Sequence, residues 1–167
     1  MDATRIQVDN NLIDAIIRST NAGLQMAGVQ PVPVGISSRP AQSQELSVVI
    51  GLVGQRNGTV TLNVSQRATL YLAGQFTGST FAAVDDEVFD AVGEITNIIA
   101  GRLKAELSTE RYQIANISCP SIVMGGDYRV HHFSGFSTAS VEFELSGVPS
   151  VFLKERIFST TVSLSRS

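Results

Sequence analysis

Glu94 and Asn97 have the chemical types and the spacing of two side chains that could act on one ligand together. They lie in segment 90–101, which predicts one helix, and residues three apart on a helix project from the same side. A carboxylate can bind a cation, and an amide can both donate a hydrogen bond to a water molecule and accept one from it. The pair therefore predicts a site that acts on something outside this chain.

The residues around the pair favour contact with a partner. Asn is a poor helix former, and Gly93 and Gly101 each cost about 1 kcal/mol relative to Ala inside a helix. Bare backbone at these glycines would let another surface approach closely. The candidate partner-binding residues are Asp90, Gly93, Gly101 and Lys104. For Lys104, simple solvation is the preferred alternative.

The helix predicted over about 86–108 has one polar stripe and one broad apolar side. The stripe, in steps of three or four, comprises Asp86, Asp90, Glu94, Asn97, Gly101, Lys104 and Ser108. The apolar side predicts packing on a sheet. The alternative is an ordinary solvated face, because a Glu-x-x-Asn pair alone arises by chance in many chains.

Length and composition predict a single globular domain over 1–167. Hydrophobic residues make up 43% and charged residues 16%, which is typical of a compact fold. The net charge of −3 without a basic run argues against nucleic acid as a partner. Residues 1–5 lack the pattern of a signal peptide, and no apolar run has the length of a membrane span. We therefore expect a cytoplasmic protein without a membrane partner.

Turn and capping signals divide the chain into alternating helices and strands. Asp9 and Ser65 are predicted N-caps, Ser65 for a short helix over about 66–75. Asn57-Gly58 predicts a hairpin with a two-residue type I′ turn, which requires positive φ at both positions. The predicted strands are 46–53, 59–64, 113–123, 140–145 and 151–157. The polar but β-prone residues 159–167 either extend a strand or fray.

An internal repeat is indicated by two similar helical segments. Residues 14–21 align with residues 90–97 at a constant offset of 76, with four identities in eight positions. Each segment is followed by an extended strand and a hairpin. We predict two pseudo-symmetric units, about 9–78 and 85–160. The alternative is two helices that share only a similar composition.

Residues 85–107 closely resemble the CheX branch of the CheC/CheX/FliY chemotaxis phosphatases. The likeness includes Gly93-Glu94-x-x-Asn97 and Ile99-Ala100-Gly101, and extends to Ala27-Gly28-Val29 and Gly51-Leu52-x-Gly54-x-x-x-Gly58-Thr59-Val60. Length and element order fit the family over nearly the whole chain.

The resemblance implies hydrolysis of the aspartyl phosphate of a response-regulator receiver domain such as CheY. Glu94 would pair with the receiver's lysine, and Asn97 would orient the attacking water. The chain itself would need no cofactor or metal, because the Mg²⁺ and the phosphorylated Asp belong to the receiver. The resemblance also implies a homodimer, for which the β-prone tail would leave sheet edges available.

The first helix departs from the two-site members of the family. Arg18 stands where the second half has Glu94, although Asn21 matches Asn97. A positive charge at position 18 would repel the receiver's lysine. We expect one active site in each chain, as in the CheX type, with Asn21 structural.

The expected fold is α+β and CheC-like, a largely antiparallel six-stranded sheet with two long pseudo-symmetric helices on one side. Two other functions remain open: a module that binds a receiver or a flagellar-switch protein without hydrolysis, and a purely structural dimer unit. Metal binding at His131-His132 is disfavoured, because neighbouring strand residues face opposite ways. Cys119 is expected to be buried, and Gly125-Gly126 lacks the downstream lysine of a phosphate-binding loop.

Overall fold

The computed structural model describes residues 9–132 and 134–166, which form four helices and seven strands. The helices are α1 (Asn10–Gln25), α2 (Gln66–Thr77), α3 (Asp86–Glu106) and α4 (Leu153–Arg156). The strands are β1 (Val32–Ser37), β2 (Leu46–Gly54), β3 (Gly58–Val64), β4 (Ile114–Ile117), β5 (Ser121–Met124), β6 (Phe136–Glu144) and β7 (Ile157–Ser165). The predicted α+β class is confirmed. The single-domain prediction also covers residues 1–8, 133 and 167, which lie outside the described residues.

All the described strands belong to one antiparallel sheet with the order β1-β6-β7-β3-β2-β4. The seventh strand, β5, also pairs with β2, so β4 and β5 share the same neighbour. The prediction of six strands was wrong by one. Segment 113–123 was expected to form one strand, but it is interrupted at residues 118–120, where Pro120 has no N–H to donate to a ladder.

One face of the sheet forms the hydrophobic core with α1 and α3. Alternate residues of β2 and β3, such as Ile50 and Leu62, are almost fully buried there, as the period of two in a strand requires. The two long helices cross at Gly23, where an added Cβ would lie 2.6 Å from Ile99 Cγ1. The absence of a side chain at Gly23 allows this close crossing.

The opposite face of the sheet is polar, although much of it is buried. Ser47 donates to Asn63 at 2.6 Å, and the Ser140 hydroxyl donates to the Arg39 carbonyl at 2.7 Å. The segment before β2 and the segment after β5 cover this face, and Ser43 of the first donates to the Tyr128 carbonyl of the second at 2.8 Å. Hydrogen bonds between hydroxyls, amides and backbone therefore take the place of apolar packing here.

The C-terminal part of the chain differs most from the prediction. Residues 151–157 were expected to form a strand, but they include α4, and β7 begins at Ile157. The polar segment 159–165 belongs to β7, which lies between β6 and β3 near the centre of the sheet. The expectation that the tail provides a free edge was therefore wrong. Its serines and threonines lie mostly on the covered polar face.

The hairpin between β2 and β3 is confirmed, but its predicted turn type is wrong. The ladder ends with Leu52 opposite Gly58, and neither Asn57 nor Gly58 has a positive φ. Gly58 is required for another reason, because a Cβ there would overlap the Ser163 carbonyl oxygen of β7.

The sheet order is compatible with an internal two-fold relation. If β2 corresponds to β6, β3 to β7 and β1 to β4, the order reads the same from both edges. Gly23 and Ile99, which meet where the helices cross, are themselves 76 positions apart. We propose that the predicted pseudo-repeat accounts for this arrangement.

Candidate active site

The helix α3 that carries the candidate site begins and ends close to the predicted residues. Asp85 caps it by accepting a hydrogen bond from the Val88 N–H at 3.0 Å, and Asp86 and Glu87 follow in its first turn. These carboxylates lie at the positive end of the helix dipole, where they stabilise the helix. Its apolar side, including Val92, is buried against α1, the sheet and α2. The buried side fixes which residues α3 presents to solvent.

Glu94 and Asn97 lie on the outward side of α3. Glu94 is exposed and Asn97 is half-buried. Within residues 9–132 and 134–166, neither side chain has a hydrogen-bond or ion-pair partner. A carboxylate and an amide therefore reach solvent together with their bonding capacity unused.

The other predicted contact residues have different surroundings. Asp90 is exposed, while Gly101 and Lys104 are half-buried, and no atom lies within 4 Å of a Cβ added at Gly101. Gly93 was predicted to offer bare backbone to a partner, but it is buried. A Cβ added at Gly93 would lie 3.7 Å from Pro120 Cγ, so the neighbour of this glycine belongs to the same chain.

The loop between β4 and β5, residues 118–120, is a part of this surface that the sequence interpretation missed. Pro120 covers Gly93, which lies one helical turn before Asn97 and on a similar side of α3. Interpreting 113–123 as a single strand hid this loop. The signal that could have found it was Pro120, because proline interrupts strand pairing.

The N-terminal half of α3 presents unpaired negative charge. Asp86, Glu87, Asp90 and Glu94 are all exposed, and none takes part in the ion pairs of the described residues. This half of the helix can therefore attract a cationic group on a partner.

On α1, the residue that matches Glu94 forms an ion pair within the chain. Arg18 donates to the Glu106 carboxylate through Nε at 3.3 Å and Nη2 at 2.9 Å. This hydrogen bond lowers the pKa of Glu106. Asn21, the counterpart of Asn97, has a buried Oδ1 with no hydrogen-bond partner. The two matched asparagines therefore have different surroundings.

The remaining candidates include the histidine pair 131–132 and the single cysteine. Among the described residues, no group of three His, Cys, Asp or Glu side chains could hold a metal ion. His132 stacks on Phe136 with ring centroids 5.1 Å apart. Cys119 was expected to be buried, but it is exposed in the 118–120 loop. Across the described ranges, no helix has the length and apolar character of a membrane span.

A family model described as chemotaxis phosphatase CheX matches residues 46–144, more than half of the chain. The chain belongs to the CheX family. The match includes Glu94, Asn97 and the 118–120 loop but leaves out α1, where Arg18 and Asn21 lie. The matched region therefore contains the outward-facing pair on α3.

Solved structures of CheX proteins share the fold of this chain. The chemotaxis protein CheX from Desulfovibrio desulfuricans is 22% identical with a TM-score of 0.76, and the match covers 92% of this chain and 99% of that one. CheX in the CheX-CheY-BeF3-Mg²⁺ complex from Borrelia burgdorferi is 20% identical with a TM-score of 0.72, covering 98% and 100%.

The same fold also occurs in a protein with a different name. The FliM middle domain from H. pylori is 10% identical with a TM-score of 0.59, covering 96% of this chain and 94% of that one. A search of curated protein sequences found no significant match. Because CheX and FliM share the fold, a function for this chain has to be argued from its side chains.

Proposed function

We propose that this CheX-family protein hydrolyses the aspartyl phosphate of a CheY-like receiver domain, with Asn97 orienting the attacking water and Glu94 binding the receiver's lysine. The observation that carries the proposal is that both side chains reach solvent on one side of α3 without a partner in the described chain. The family match and the CheX-CheY complex from B. burgdorferi support a receiver as the partner.

The proposed chemistry needs only these two groups from this chain. Water attacks phosphorus in line, a new P–O bond forms, and the bond between phosphorus and the receiver's aspartate oxygen breaks. The products are inorganic phosphate, which takes up the oxygen and both protons of the water, and a free carboxylate. Asn97 can accept a hydrogen bond from the water and donate one to a phosphate oxygen. Phosphoryl transfer depends mainly on such positioning and on charge stabilisation.

The receiver supplies what this chain lacks in the proposal. The phosphorylated Asp, the lysine and the Mg²⁺ arrive with the partner, and Glu94 with its acidic neighbours favours docking of a cationic group. Because the proposed substrate is a receiver domain of intracellular signalling, we place the protein in the cytoplasm.

The main test follows phosphate loss from candidate receivers with the wild-type chain and matched asparagine variants. Asn97→Ala should slow dephosphorylation roughly 10²–10³-fold, by analogy with the removal of one preorganised hydrogen-bond donor. Asn21→Ala removes the matched residue of α1 and should leave the rate unchanged. If the wild type and Asn97→Ala both leave the decay of every cognate receiver unaltered, the enzymatic proposal is wrong.

Glu94→Gln separates docking from chemistry, because it keeps the shape of the side chain and removes its charge. We expect a raised KM with a smaller effect on kcat, since the ion pair with the receiver lysine contributes mainly to binding. A selective loss of kcat at unchanged KM would assign Glu94 to the chemical step instead.

A non-catalytic module that binds a receiver or the flagellar switch is the alternative. The exposed acidic side chains of α3 support it, because they can bind a cationic group on a partner whether or not hydrolysis follows. Co-purification of the chain with a phosphorylated receiver, without faster phosphate loss, would favour this alternative over hydrolysis.

We also propose that the protein forms a homodimer through the outer edge of β1. Six residues of this strand have no neighbour on their outer side within the described chain, and Val32, Val34 and Ile36 are about half exposed. Two copies of such an edge can pair antiparallel about a two-fold axis.

A further inference from the structure

The 118–120 loop is held rigidly beside the candidate active site. The Ser118 N–H donates to the Gly51 carbonyl at 2.9 Å, and the Gly51 N–H donates to Ser118 Oγ at 2.8 Å. These two bonds tie the loop to β2, while Pro120 lies over Gly93 of α3. The loop is thus fixed to both the sheet and the site helix.

The three residues of this loop are exposed to solvent, although hydrogen bonds anchor the loop. Ser118, Cys119 and Pro120 are all exposed, and the hydrogen bonds of Ser118 are to Gly51 and to the Cys119 carbonyl. Asn97, which shares its side of α3 with Gly93, is only half-buried. The loop therefore lies against α3 about one helical turn from Asn97.

We propose that the 118–120 loop is the second wall of the receiver-binding site, contacting the receiver beside Asn97 while α3 contacts its active centre. This inference rests on the proposed receiver phosphatase function. It assigns a binding role to residues that are far from Glu94 in sequence and adjacent to its helix in space.

The typical size of a protein interface predicts contact between the receiver and this loop. A standard interface buries roughly 800 Å² on each partner, which is a patch about 30 Å across. A receiver that covers Glu94 and Asn97 would extend over a loop whose Pro120 packs against Gly93. Because the loop is already anchored, little conformational entropy is lost when it is covered.

Cys119 provides a direct probe, because it is the sole cysteine of the chain and is exposed. The native protein is treated with N-ethylmaleimide with and without a BeF3-activated receiver, and the labelling rate is followed by mass spectrometry. The control is the double variant Cys119→Ser, Ser146→Cys. Ser146 is exposed and follows β6, which lies four strands from β5, roughly 19 Å away.

The proposal predicts protection at position 119 alone. At a receiver concentration about ten times Kd, labelling of Cys119 should slow about tenfold, whereas labelling at position 146 should not change. Maleimide on Cys119 should also raise the KM for the phosphorylated receiver, while the same adduct at position 146 should not.

The outcomes separate this proposal from the function on which it rests. If Asn97→Ala abolishes dephosphorylation but a saturating receiver leaves Cys119 labelling unchanged, the loop is outside the interface and this inference is overturned. If the receiver protects Cys119 but its phosphate decay is never accelerated, the loop contact stands and the enzymatic proposal fails. Equal protection at positions 119 and 146 would overturn a specific contact.

Discussion

Nothing in the described chain uses the polar groups of Glu94 and Asn97, which both reach solvent on α3. Arg18, at the matching position of α1, bonds to Glu106 instead, and the Oδ1 of its neighbour Asn21 is buried. Surface carboxylates gain little from ion pairs in water, so an unpaired Glu94 has a small cost. The two helices therefore differ in whether the matched polar side chains are available to a partner, and those of α3 are.

The two glycines of α3 differ in the space around them. Gly93 is covered by Pro120, whereas a side chain at Gly101 would meet no atom within 4 Å. Both glycines were predicted, from their cost in a helix and their position beside the pair, as points of close approach for a partner. Their contact with a partner stays a prediction, and only Gly101 has open space beside it.

Gly101→Ala should separate stability from partner binding. In the free protein we expect a gain of up to about 1 kcal/mol in the free energy of unfolding, because Ala is the better helix former and its methyl group meets no clash. The same methyl group should weaken binding to the receiver if the partner approaches the bare backbone. Urea denaturation and titration calorimetry measure the two effects, and an unchanged Kd would remove Gly101 from the interface.

At the scale of the elements, the N-caps link local sequence to packing. Asp9 caps α1 through the Leu12 N–H at 3.3 Å and also accepts a hydrogen bond from the Tyr112 hydroxyl at 2.9 Å. Arg111 pairs with the same carboxylate at 3.1 Å. The start of α1 is thus tied to the segment between α3 and β4, although the two are about a hundred residues apart in sequence.

The raised pKa of Tyr112 predicts that the folded protein loses stability at high pH. Burial, together with the hydrogen bond to Asp9, raises the pKa of Tyr112 from 10.0 to about 12. Because the folded state holds this proton more tightly, the contribution is fully present below pH 10 and is lost as the pH rises toward about 12.

The measurement compares the wild type with Tyr112→Phe by denaturant unfolding across this range of pH. The stability advantage of the wild type should shrink by roughly 2–3 kcal/mol, which is the value of a two-unit shift in pKa. Parallel stability curves for the two proteins would contradict the assignment.

At the scale of the whole molecule, the sheet has two different edges. The β1 edge spans six residues, with Pro33 and a register shift between Pro33 and Gly35, whereas the opposite edge is divided between β4 and β5, of four residues each. Exposed apolar side chains on an edge strand, here Val32, Val34 and Ile36, favour pairing with another chain. This asymmetry selects β1 for the proposed dimer.

Ile36→Lys should convert the dimer to a monomer, because a lysine on an edge strand opposes pairing. Ile36 is 59% exposed, so the fold itself should tolerate the charge. Val123→Lys on β5, where the side chain is 40% exposed, is the matched control and should remain dimeric. Sedimentation equilibrium reports the mass of each variant, and a dimeric Ile36→Lys protein would exclude this edge.

Local patterns were sufficient for much of this molecule. The caps at Asp9 and Ser65, the extent of α3 and the shared side of Glu94 and Asn97 depend on residues within one or two turns, so the sequence alone determined them. The catalytic roles of Glu94 and Asn97 stay predictions, as do the repeat and the dimer.

The rest was decided by contacts between segments distant in the chain. A polar run such as 159–165 is no sign of a central strand by itself, and it becomes one only because β3 and β6 flank it and other segments bond to its hydroxyl groups. Likewise, Pro120 covers Gly93 in a loop that the bond between Gly51 and Ser118 ties to β2. Sequence periodicity specifies which side a residue faces, and only the packed fold specifies what lies there.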